Sequence, residues 1–133
     1  MKRAWLLVFL LAACDSPTDH AATVDVQGEW TYHATQTIPV LDMAGALIIS
    51  EQEGASFSGT AQLTETDVQG TQRTRLAVVS GRVVGGDVVD MDLYVDTHVR
   101  RHVARITADS MSGTWSVTGA ATSSGTFTAR RVP

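Results

Sequence analysis

The sequence predicts an all-β fold, an eight-stranded antiparallel up-and-down barrel over residues 25–133 that follows an export segment and a flexible tether. Two observations carry the strands. Phe57, Gly59, Ala61 and Leu63 alternate with Ser58, Thr60, Gln62 and Thr64, and Met111, Gly113, Trp115 and Val117 alternate with Ser112, Thr114, Ser116 and Thr118. This period of two marks half-buried strands. Threonine, serine and valine are abundant, glycine recurs at plausible turns, and Pro39 is the only proline between the tether and the final residue. A third argument closes the sheet: an open meander leaves two unpaired edges, and a barrel removes both.

Taken in order, Lys2 and Arg3 form a short basic region and Ala4 to Ala13, "AWLLVFLLAA", an apolar run of ten residues. That is the length of a signal-peptide core and well short of the ~20 residues a membrane-spanning helix needs. Leu11, Ala12, Ala13 and Cys14 resemble the lipobox of bacterial lipoproteins, in which small residues precede the cysteine that begins the mature chain. The resemblance implies removal of residues 1–13, acylation of Cys14 and attachment to membrane lipid, with several chains at ~0.8 kcal/mol per buried methylene giving durable anchoring. Residues 14–24, rich in small polar residues and containing Pro17, read as the lipidated tether. The expected location is the cell envelope, facing the periplasm. Asp15 is the residue that marks inner-membrane retention in enteric bacteria, but the choice between inner and outer membrane stays open.

Processing changes the composition that matters. The mature chain of 120 residues has no lysine and a formal charge of −6 in place of −4. An acidic chain lacks the basic face that phosphates require, so no nucleic-acid partner is expected. With Cys14 acylated, the domain has neither disulfide nor free thiol, and an apolar core must hold it together.

The strands are expected near 26–36, 45–52, 56–66, 72–83, 87–95, 98–106, 111–118 and 124–132, neighbours joined as hairpins. "GEW", Gly28 to Trp30, opens the first, and the last ends in Arg130 and Arg131. This resembles the calycin signature of lipocalins and avidin-like barrels, which implies a late arginine covering the tryptophan. Alternation from Phe127 and Ala129 puts Arg131, rather than Arg130, inside over Trp30. "SGT" occurs at 58–60, 112–114 and 124–126 without amounting to a structural repeat.

Residues 96–106, "DTHVRRHVARI", read either as a short helix, with Val99, Val103 and Ile106 on one face, or as a strand. The strand explains its neighbours. A two-residue turn at Asp96 and Thr97 pairs Val95 with His98, Asp92 with Arg101 and Met91 with His102. A turn at Ala108 and Asp109 pairs Ile106 with Met111 and His102 with Trp115, so Arg100 and His102 face inward.

No catalytic chemistry emerges, so the chain reads as non-enzymatic, with neither metal nor cofactor. His98 and His102 are spaced as HxxxH, but four residues along a strand is about 13 Å, too far to share one ion. Asp90 to Asp96 mimics a calcium loop but puts Val95 where glycine is needed and Arg101 where glutamate is expected. No GxSxG elbow occurs.

Two functions stay open. One is a binding module holding a small amphiphilic or anionic ligand, with walls from Trp30, Tyr32 and Trp115 and charge from Arg100, His102 and Arg131. A buried arginine needs an anion, which a ligand or an internal carboxylate can supply. The most specific form of this reading has Arg100, with His102 adjacent, gripping the head of an apolar acid, with affinity that weakens as pH rises if His102 is protonated in the complex. The other is an envelope interaction protein, such as a small protease inhibitor, with a packed barrel. The apolar connection Thr37 to Gly45 is expected to fold over one barrel end, as a ligand lid or as a plug.

Overall fold

The computed structural model describes residues 23–117 and 123–133; the signal segment 1–13, Cys14 and most of the tether lie outside them. The strands are β1 (Gly28–Gln36), β2 (Leu41–Glu53), β3 (Ser56–Asp67), β4 (Gln72–Val84), β5 (Val88–Val95), β6 (His98–Ile106), β7 (Ser110–Val117) and β8 (Ser123–Arg131). Each pairs antiparallel with the next, and β8 returns to β1, closing the barrel. Among the described residues there is no helix. Residues 98–106 are strand, and Asp96, at φ 49°, makes the tight turn that an aspartate tolerates. Val95 pairs with His98, Asp92 with Arg101 and His102 with Trp115, as the two turns require.

Alternation places Trp30, Tyr32, Met43, Leu47, Leu63, Leu93, Met111 and Phe127 inside, each nearly or wholly excluded from solvent. Burying one such side chain contributes ~1.5–3 kcal/mol, so these residues supply much of the driving force for closure. An interior filled by apolar side chains is the reverse of the polar lumen of a barrel that spans a membrane.

The SGT tripeptides have a packing reason. In each, serine and threonine sit on the outer parity, and the central Gly59, Gly113 or Gly125 lies where a Cβ would strike a carbonyl oxygen of the neighbouring strand. Strands coil past each other there too closely for a side chain. Gly45, on β2, has the same role.

The expected lid over 37–45 is corrected. Only Thr37–Val40 form the turn, with Ile38 81% and Val40 58% exposed, while β2 begins at Leu41 and sends Met43 into the core. The apolar residues Leu41 and Met43 belong to a strand whose inward positions need them.

Candidate functional site

Three layers follow one another along the barrel axis. At the end where β1 begins, the Arg131 guanidinium lies 4.4 Å from the Trp30 ring centroid. Its nitrogens donate to the carbonyls of Asp25 (2.6 Å), Gln27 (2.7 Å) and Ala108 (3.1 Å), and Trp30 Nε1 donates to the Val26 carbonyl at 2.9 Å. One planar cation therefore ties the incoming chain, the β6–β7 turn and β8 over the indole. Arg130, on the opposite parity, is exposed.

The middle layer is aromatic. His102 is wholly buried, its ring 4.8 Å from Phe127, 5.8 Å from Tyr32 and 6.5 Å from Trp115, centroid to centroid. Nδ1 lies 3.0 Å from the Arg100 carbonyl and Nε2 lies 2.8 Å from Tyr32 Oη. A carbonyl only accepts, so Nδ1 carries the proton and the Tyr32 hydroxyl donates to Nε2. Both nitrogens of a neutral ring are thereby satisfied. Burial, together with the Arg100 charge and against the backbone hydrogen bond, pushes His102 down to about 4. Desolvation outweighs the hydrogen bond that would favour the cation, so the ring is neutral at pH 7. Burial also holds the Tyr32 phenol well above its usual range.

At the other end, the mouth, Arg100 is buried and forms an ion pair with Glu65, itself only 7% exposed. Arg100 also donates to His98 Nε2 at 3.2 Å and contacts Met43 Sδ at 3.0 Å. Arg75 brings Nε to 3.6 Å from the second Glu65 oxygen and Nη1 to 2.7 Å from Asp96. Burial and the Arg100 charge lower the affinity of His98 for a proton. A cleft of about 150 Å³ opens beside this cluster, lined by Leu41, Glu65, Asp67, Thr71 and Arg73.

The six sequence-derived candidates fall into two groups. Trp30 and Arg131 close one end, while Tyr32, His102, Trp115 and Arg100 lie together, the Arg100 guanidinium 5.8 Å from the Trp115 ring centroid and the Arg100 carbonyl bonded to His102. Arg100 has an anionic partner inside the chain, because Glu65 is the internal carboxylate that engages it. Sequence reasoning missed Glu65, although extending the alternation Phe57, Gly59, Ala61, Leu63 by two residues reaches it. Among the described residues, no cluster of three or more His, Cys, Asp or Glu side chains could hold a metal ion.

The chain matches no protein-family model and no curated protein. Solved structures resemble it. One is EF1p2_mFAP2b bound to DFHBI, with TM-score 0.66 and 14% identity over 80% of this chain and 93% of that one. A second is the redesigned β-barrel mFAP1 bound to DFHBI, with TM-score 0.61 and 15% identity over 79% and 94%. A third is a de novo designed fluorescence-activating β-barrel, with TM-score 0.59 and 10% identity over 80% and 93%. At such identities the likeness establishes the fold, a closed eight-stranded antiparallel barrel.

Proposed function

We propose that the chain is a non-enzymatic, lipid-anchored protein of the cell envelope that works through its outer surface and loops, with its barrel serving as a filled scaffold. The observation that carries this reading is the middle layer. His102, Tyr32, Phe127 and Trp115 pack ring against ring inside the barrel, and both His102 nitrogens have partners there. At the mouth, Arg100 already has its anion in Glu65. An amphiphilic acid would have to displace a buried, charge-assisted pair and then part an aromatic layer. The lipobox at Leu11 to Cys14 supports the anchor and the envelope location.

A second reading, a small ligand at the mouth, draws support from the dye bound in the similar barrels. Tryptophan fluorescence separates the two, because Trp30 and Trp115 are both interior. The mature protein and its Glu65→Gln variant, which loosens the hold on Arg100, are titrated with fatty acids and neutral analogues. A filled scaffold gives no saturable change in the wild-type protein. A saturable one-to-one change, strengthened in Glu65→Gln, establishes the ligand reading instead.

A further inference from the structure

The outer surface of the barrel has two sides. From β2 to β5 it carries Leu76, 71% exposed, Val78, 60%, Tyr94, 48%, and Ile48, 45%. Cross-strand pairing sets three of these in one row: Ile48 opposite Thr60, Thr60 opposite Val78, Val78 opposite Tyr94. Leu76 stands one step along β4, and a groove of about 440 Å³ runs between them. In a closed ring of eight, the strand facing β4 across the axis is β8. There and on its neighbours most exposed side chains are hydroxyls, among them Thr126 and Thr128 on β8, Thr114 on β7 and Thr35 on β1, with Arg130, Glu29 and His33 interspersed.

The chain enters the barrel on the apolar side. The Val24 carbonyl accepts from Gln52 Nε2 at 2.9 Å, and Gln52 lies on β2, four residues and thus about 13 Å along the strand from Ile48. From Cys14 to Thr23 the covalent chain spans at most ~30 Å at full extension. A bilayer holding an acylated Cys14 therefore lies no more than ~45 Å from the apolar row.

We propose that the face formed by Ile48, Leu76, Val78 and Tyr94 docks on the lipid surface to which the tether holds the barrel, leaving the threonine-rich face of β8 turned away; this rests on the lipid-anchor reading above. The chemistry suits lipid. Aliphatic side chains enter the headgroup boundary, and a tyrosine presents an apolar ring with a hydroxyl tip that prefers that boundary. An ion pair, Asp90 with Arg101 at 2.8 Å, lies on the same side, four residues along β5 from Tyr94. Four side chains make a weak contact for a free protein. A short tether makes docking intramolecular, at an effective concentration on the order of millimolar, where a weak contact suffices.

The test uses the acylated full-length protein in phosphatidylcholine vesicles. Cys14 is the only cysteine in the sequence, so once it is acylated an introduced thiol takes a fluorophore alone. Labels are placed by Val78→Cys and, on the opposite face, Thr128→Cys, and quenching by nitroxide-bearing lipid is measured. Docking predicts quenching several-fold stronger at 78 than at 128, and Leu76→Ser in the Val78→Cys protein brings the two together. Equal quenching in a protein whose acylation is verified by mass overturns the docking and leaves the anchor standing. Cross-linking of 78 to 78 between copies, without quenching, overturns it in favour of a dimer. A chain that cells do not acylate overturns the anchor and the docking with it.

Discussion

Tyr32 Oη on β1 donates to His102 Nε2 on β6 at 2.8 Å, joining two strands that are not neighbours in the sheet. The bond crosses the interior and fixes the imidazole tautomer, because the other ring nitrogen is committed to the Arg100 carbonyl. Removing the hydroxyl leaves a buried acceptor without a partner, so Tyr32→Phe is expected to cost about 1–3 kcal/mol. Urea denaturation of the two proteins at pH 7 checks it.

The same histidine sets an acid limit. Its folded value of about 4 lies below the ordinary 6.5, so the unfolded chain takes up a proton between those values and the folded chain does not. Stability is full above pH ~6.5 and falls as pH drops toward 4, by about 3 kcal/mol in all. Denaturation midpoints across this range should show the slope, and a His102→Leu protein should lose that share of it.

Arg131 and Arg130 are neighbours in sequence with opposite roles. Arg131→Ala gives up the stack on Trp30 and three carbonyl partners, an expected loss of about 2–4 kcal/mol, whereas Arg130→Ala should stay within about 0.5 kcal/mol. Thermal unfolding of the two variants decides. Equal losses would mean that the arginine does not hold that end.

At the mouth, Glu65→Leu strands the buried Arg100 and is expected to cost about 3–5 kcal/mol. Adding Arg100→Met should return much of that loss, since an apolar pair needs no counter-charge. A double-mutant cycle measures the coupling, and strictly additive losses would show that the pair is not interdependent.

Much of this architecture was legible in the sequence. The closed meander and the inward parity of Arg100, His102 and Arg131 follow from alternation and from a turn length at Asp96 and Thr97 that leaves one register for β5 and β6. Three features were not legible, for physical reasons. Pro39 and Gly45 look like loop punctuation, yet Gly45 is a strand residue whose missing side chain lets β3 pass close by. Glu65 ends an apolar alternation, and a carboxylate there looks like a strand leaving the core unless its partner Arg100 is known. Leu76 to Val79 is a continuous apolar run, and nothing in such a run says that Leu76 and Val78 face outward while Ala77 and Val79 fill the core.

The three SGT glycines make a further prediction. Gly59→Ala would drive its Cβ onto the Ile48 carbonyl, so a loss of about 1–3 kcal/mol or more is expected, measured as a lowered Tm. A conformationally ordinary strand glycine would instead gain stability from the same change, through a less flexible unfolded chain.

The proposal that the barrel is filled at its middle is tested most directly by the titration of His102, followed by NMR of the ring nitrogens. The account predicts a neutral ring with the proton on Nδ1 from pH 8 down to about 5, and protonation only near 4. A His102 that titrates reversibly near 6.5 in the folded protein would mean that water or ligand space reaches the ring, and would contradict the account.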